Sequence, residues 1–205
     1  MGIRLLILDL WTPNFVIRKE LDDIFGKTTA ALQALISEYA KEKIEVKDQK
    51  QQPPKAIKEL RAIMAQTQAT MVETLEATLG REEALRLGRK ALFSVGKNLG
   101  MQARSRLGVG DSKSDLVTAA KVLYRVLGIR FHLDWIDNSN AVAIIDRCAL
   151  SEKYSELTCE VLSATDEGVM QGLQPNVSMR FKQYMTSGCK NCKASIRFNQ
   201  KVNMQ

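Results

Sequence analysis

His132 is the only histidine in 205 residues, and that scarcity leaves few groups for acid–base or nucleophilic chemistry at neutral pH. A Ser-His-Asp arrangement would have to turn on this one ring, and the Gly-x-Ser-x-Gly elbow that presents such a serine does not occur. Gly108-Val109-Gly110-Asp111-Ser112 is rich in glycine but is not followed by the Gly-Lys-Ser/Thr of a phosphate-cradling loop. No apolar run approaches the roughly 18 to 20 residues that span a bilayer. The apolar stretch Ile3 to Leu8 is too short for a secretory signal and is interrupted by Arg4, so the expectation is a cytosolic protein without a membrane partner. Aromatic residues make up only 6% of the chain, and the 30 basic residues are spread among 23 acidic ones. The net charge of +7 therefore lacks the dense basic block with interleaved stacking rings that nucleic acid requires, and a nucleic-acid partner is disfavoured. An anionic small ligand or simple solubility explains the excess equally well.

What is present is a concentration of thiols. Cys148, Cys159, Cys189 and Cys192 are the only cysteines, all in the last third of the chain, and the last two form a Cys-x-x-Cys pair. In a reducing compartment structural disulfides are disfavoured. Three readings stay open: metal ligation, a redox dithiol, and buried thiols acting as small apolar residues. The redox reading lacks its activating element, because Cys189-Lys190-Asn191-Cys192 runs into the alternating Lys193 to Phe198 rather than into a helix N-terminus. A metal–thiolate site leads.

Periodicity divides the chain into helices followed by strands. Leu21, Ile24, Phe25, Leu32, Leu35, Ile36 and Tyr39 recur at helical spacing, which predicts a helical first segment to about Val46. A polar run ending in Pro53-Pro54 reads as a linker, so residues 1–54 form a helical extension and 55–205 the main domain. Helices are expected over Lys55 to Leu79, Arg81 to Gln102 and Ser114 to Leu127, the last capped by Asp111 or Ser112. Gly88, Gly96 and Gly100 inside the second of these cost about 1 kcal/mol each against alanine, which implies that something packs closely on that face. From Gly128 the period changes to two. Ile129 to Trp135 and Ala141 to Asp146 read as a hairpin, Glu152 to Gln171 as a helix, and Val177 to Met185 with Lys193 to Asn199 as a second hairpin. The fold class is α+β, with N-terminal helices packed on an antiparallel sheet of two hairpins. His132 shares a strand face with Arg130 and Asp134 and reads as an exposed or hydrogen-bonded residue, and Asp166-Glu167 as exposed helix surface.

In this order, Ile145 to Leu150, Cys159 to Gly168, Gly172 to Pro175 and Gly188 to Phe198, with Leu79 to Gly100 upstream, resemble the 4-vinyl-reductase-like small-molecule-binding domains and the related L-2-amino-thiazoline-4-carboxylate hydrolase family. The resemblance covers about Glu73 to Phe198. It implies zinc held by Cys159, Cys189 and Cys192, with Cys148 as the fourth ligand, near the C-terminal hairpin. A short Cys-x-x-Cys suits zinc or an iron–sulfur cluster, and a four-thiolate zinc would be closed and structural. The resemblance also implies a homodimer.

Apolar faces suggest where a ligand would sit: Phe131, Leu133 and Trp135 from the first hairpin, Met179 and Phe181 from the second and Met170 from the helix between, a set that serves equally as plain core. The leading functional reading is a metal-containing sensor or carrier of a small hydrophobic or heterocyclic ligand. The alternatives are a hydrolase of the family's type, redox or sulfur chemistry at a cluster, and a structural adaptor. No catalytic residue is assigned.

Overall fold

Pro13 decides how the described chain begins, because its ring forbids the amide hydrogen bond that would fuse the first two helices. The computed structural model describes residues 2–39 and 56–199. Helix α1 (Ile3–Leu10) ends at Trp11, and α2 (Asn14–Tyr39) starts anew, with the amides of Val16 and Ile17 donating to the Pro13 carbonyl. The expected linker and the helical reading of residues 40–46 lie outside the described residues. There follow α3 (Ile57–Leu79), α4 (Arg81–Leu107), α5 (Lys113–Leu127), strands β1 (Ile129–Trp135) and β2 (Asn140–Cys148), α6 (Glu156–Leu173), and strands β3 (Val177–Gln183) and β4 (Cys192–Phe198). The α+β class and both hairpins are as the periodicity implied.

Local chemistry places the ends. Gly80 separates α3 from α4. Ser112 accepts the Asp115 amide at 3.1 Å to start α5, and Ser155 accepts the Thr158 amide at 3.1 Å to start α6. The four strands form one antiparallel sheet in the order β1-β2-β4-β3, so the two hairpins join through β2 and β4. In β4, Cys192, Ala194, Ile196 and Phe198 point inward and Lys193, Ser195 and Arg197 outward. The register sets Ile145 beside Cys192 and Phe181 beside Ala194. The inner face packs against α5 and α6 through Leu116, Ala119, Ala120, Met170 and Leu173.

The glycines of α4 are used in a helix crossing. A Cβ on Gly96 would stand 2.0 Å from the Thr165 carbonyl oxygen of α6, and one on Gly168 would stand 2.2 Å from the Phe93 carbonyl oxygen of α4. Each helix thus lays a glycine against the other's backbone, and Gly100 with Gly172 repeats the contact one turn on. The close approach expected of Gly88, Gly96 and Gly100 is directed at α6. It does not thin the helix layer to open a ligand space.

The first two helices are built into this core. Leu32 and Ile36 of α2 pack with Met71, Leu75, Leu92 and Leu157, while Ile17 and Leu21 pack with Leu60, Met64 and Val126.

A closed cavity with one acid

Where α2, α3, α5 and α6 meet the inner corner of the sheet, side chains leave a cavity of about 90 Å³. Ile24 and Thr28 of α2, Met64 and Gln68 of α3, and Tyr124 and Leu127 of α5 form one side. Cys159, Leu162, Ser163, Thr165 and Asp166 of α6 form another. Ile145, Cys148, Phe181 and Cys192 close it from the sheet, and Tyr154 and Tyr184 from the loops. The volume is below the roughly 150 Å³ cavity that takes up benzene, so it suits a molecule of a few heavy atoms.

Asp166 is the only carboxylate on the wall, and no lysine, arginine or histidine lines it. Its accessible surface opens on the cavity. Burial, reinforced by the adjacent charge of Glu167, pushes its pKa from 3.8 up to about 7, while the hydrogen bond from the Tyr124 hydroxyl opposes the rise. Burial also drives the Tyr124 phenol well above its ordinary value, so it stays protonated and donates. Next to it in the chain, Thr165 is nine-tenths buried and its hydroxyl oxygen has no hydrogen-bond partner.

The other polar groups are committed. The Tyr154 hydroxyl donates to Gln68 Oε1, Gln68 Nε2 donates to Thr28 Oγ1 at 2.8 Å, and Thr28 donates to the Ile24 carbonyl at 2.8 Å. This relay fixes the α2–α3 wall. Glu167, 3% exposed, faces away from the cavity and accepts from Arg89 Nη2 at 2.6 Å, Arg180 Nη1 at 3.2 Å and the Phe181 amide at 3.1 Å. Arg89 reaches on to Ser163 Oγ at 3.0 Å. The expectation of an exposed Asp166-Glu167 pair is corrected: Glu167 is buried against Arg89 of α4, and Asp166 is half-buried on the cavity wall.

The structure brings three of the four cysteines together. Cys148, Cys159 and Cys192 line the cavity, and Cys189 lies outside its wall, near enough to Cys192 for their charges to repel. All four are free thiols. Burial raises Cys148 to about 11, Cys159 to about 12 and also lifts Cys192, whose sulfur accepts the Met185 amide at 3.2 Å. Among the described residues no three His, Cys, Asp or Glu side chains stand in metal-holding geometry. In this arrangement, then, the donor set does not fit a metal, and no chemistry is routed through one.

The expected ligand-contact residues divide. Phe181 is on the cavity. Phe131, Met170 and Met179 sit between sheet and helices in packed core, where about 20 Å³ remains. Trp135 is 47% exposed at the sheet edge, stacked on Phe198 with ring centres 5.6 Å apart. The apolar stripe was core because α5 covers it, whereas the cavity lies at the sheet corner where α5, α6 and the loop after β2 diverge. His132 is on the outer sheet face, its Nδ1 2.9 Å from Asp146 Oδ2. Thr165, Tyr124 and Gln68 were not anticipated, and Asp166 only as one of a pair of which one could reach a pocket. A signal for the first existed: Cys159, Leu162, Ser163 and Asp166 share one helical face at spacings of three, four and seven.

A four-stranded antiparallel sheet covered by helices defines a domain of the α+β class. The family model for L-2-amino-thiazoline-4-carboxylic acid hydrolase matches residues 60–196, more than half of the chain, and the chain belongs to that family. Among solved structures it is similar to the phenol-responsive sensory domain of the transcription activator PoxR with phenol, at 15% identity and a TM-score of 0.53 over 65% of this chain and 73% of that one. It is also similar to a trafficking protein particle complex subunit 3 from Naegleria fowleri covalently bound to palmitic acid, at 16% identity and a TM-score of 0.50 over 68% of this chain and 95% of that one. At such identities the likeness is one of fold. No protein of curated function matches. No described helix is long and apolar enough to cross a membrane.

Proposed function

We propose that this chain is a cytosolic small-molecule-binding protein, a sensor or carrier, whose ligand occupies the cavity beside Asp166. The observation that carries the reading is a largely apolar cavity whose walls leave two polar groups, the Asp166 carboxyl and the Thr165 hydroxyl, with unused bonding capacity. The phenol named with one structural relative and the palmitic acid named with the other are in keeping with an apolar site in this fold. Thermal-shift and calorimetric screening of compact ring and chain compounds tests it. A binder lost on Thr165→Leu, which fills the cavity, supports the proposal; binding unchanged in that variant places the ligand elsewhere.

The hydrolase reading draws on the family description and on one feature of the site. A carboxyl near pKa 7, buried beside a protonated phenol, is poised to accept and return a proton at neutral pH. Turnover of L-2-amino-thiazoline-4-carboxylate abolished by Asp166→Asn would establish it.

The convergence of Cys148, Cys159 and Cys192 on one cavity favours a further reading, a zinc or iron–sulfur site completed by Cys189 after movement of the 188–191 loop. Metal analysis and the visible spectrum of anaerobically purified protein decide it. About one zinc per chain, or a broad band near roughly 400 nm, would support the site, and a metal-free, colourless protein with four titratable thiols would end it.

Homodimer formation is proposed through α1 and the start of α2, where Ile3, Leu10, Trp11 and Phe15 are 68–88% exposed. A monomeric mass by light scattering, unchanged in Phe15→Glu, would remove it.

A further inference from the structure

We infer that the cavity takes a compact organic cation of the amidine or amine class and excludes carboxylates. The inference rests on the cavity being the ligand site, and it names the charge of what enters. Asp166 supplies the only ionisable carboxyl on the wall, and among the described residues no basic side chain lines the wall to pair with it. The guanidiniums of Arg89 and Arg180 are taken: both bind Glu167, and Arg89 spends a further N–H on Ser163 Oγ. A carboxylate entering this space would place a second negative charge beside the first at low dielectric, with no lysine, arginine or histidine to receive it. An amidinium offers two coplanar N–H groups to a carboxylate that holds only the Tyr124 hydrogen bond, and the Thr165 hydroxyl can accept another.

The aromatic walls point the same way. Phe181 and Tyr184 both line the cavity and stack with centres 5.9 Å apart, and Tyr124 and Tyr154 add two more rings. Such walls attract a cation and do nothing for an anion. The space of about 90 Å³ limits the ligand to a few heavy atoms. The substrate in the family's description carries an amidine-like ring and a carboxylate. Here the ring's N–C–N edge has a partner in Asp166, and the carboxylate has none.

Calorimetry on the full chain at fixed ionic strength, with acetamidinium, 2-amino-thiazoline, L-2-amino-thiazoline-4-carboxylate, acetate and phenol as probes, tests the assignment. The two carboxylate-free cations should bind, the two carboxylates should bind at least about tenfold more weakly or not at all, and Asp166→Asn should cut cation affinity by about tenfold or more. Thr165→Val, which leaves the charge in place, should weaken the cations by only a few fold. Equal affinity for 2-amino-thiazoline and its carboxylate, or cation binding indifferent to Asp166→Asn, would overturn the charge assignment. Phenol binding that Thr165→Leu abolishes, with no cation bound, would leave the cavity as the site and refute only the cation. Absence of binding by every probe would refute both.

Discussion

Asp166 and Glu167 are consecutive residues of α6, the first half-buried and the second buried, yet one faces a cavity whose described wall holds no counter-charge and the other is clamped by two guanidiniums and a backbone amide. The helical step of about 100° per residue separates them. It sends Asp166 toward α5 and the sheet corner, and Glu167 toward Arg89 of α4 and Arg180 of β3. The same sequence pair thus provides a structural anchor and an electrostatically unsatisfied site.

Asp166 makes stability fall as pH rises. Its folded-state pKa of about 7 lies above the ordinary 3.8, so its contribution is full below about pH 4 and is lost as pH climbs through about 7. At about 1.4 kcal/mol per pH unit the upper limit is about 4 kcal/mol. Asp166→Asn should therefore melt higher than the wild type at pH 8 and lose this part of the pH dependence. A variant melting lower than the wild type at pH 8 would show that the carboxylate is stabilised by groups other than those on the cavity wall.

Glu167→Gln acts in the opposite sense. It strips the charge opposing Arg89, whose side chain is only 18% exposed, and leaves a buried guanidinium with neutral partners. Removing one member of a buried pair costs about 3 kcal/mol, readable as a lower denaturation midpoint with an unchanged slope. Glu83→Gln, which breaks the exposed Arg86 pair, is the control and should leave the midpoint in place.

Buried thiols in an apolar cavity should also be sluggish. With Cys148 near 11 and Cys159 near 12, against an ordinary 9.0, the thiolate fraction at neutral pH drops by about a hundredfold or more. Iodoacetamide should label these two positions at least that much more slowly in the native protein than in urea. Labelling at equal rates, followed by mass spectrometry of the Cys148 and Cys159 peptides, would show the cavity open to solvent.

Much of the architecture was written in periodicity. The switch from three- and four-residue spacing to alternation at Gly128, the turn residues around Asn138 and the alternation of β4 are local signals, and local signals survive folding. Pro13 was a local signal too, and the break between α1 and α2 follows from it. The site was less legible. Cys148, Cys159, Cys189 and Cys192 were marked as a group by their confinement, and three of the four share the cavity wall, but spacing carries no information on whether sulfurs point at one another. Asp166 was read as surface because a charged residue on a helix is solvated by default. What encloses it is the meeting of α2, α3, α5 and the sheet corner around that face of α6, a tertiary fact invisible to any window around residue 166. Phe131 and Trp135 drew attention as a stripe, but α5 covers only Phe131, which is core, and leaves Trp135 exposed at the sheet edge.

The crossing of α4 over α6 gives the sharpest packing test. At Gly96 an alanine Cβ would lie 2.0 Å from the Thr165 carbonyl oxygen, a backbone atom that cannot swing aside, so the helices must part. Thr165 and Asp166 sit on that turn, so separation moves the cavity wall as well. Gly96→Ala should lower stability by more than about 2 kcal/mol and alter ligand affinity in the same variant. Gly26, exposed within α2, has nothing within 4 Å of its would-be Cβ. There alanine only removes the backbone freedom of glycine, and Gly26→Ala should raise stability by about 0.5–1 kcal/mol with ligand affinity unchanged. The two substitutions are chemically identical and opposite in predicted sign, so paired urea titrations read the packing directly. A Gly96→Ala protein as stable as the wild type would mean that α4 and α6 do not cross at backbone contact in solution.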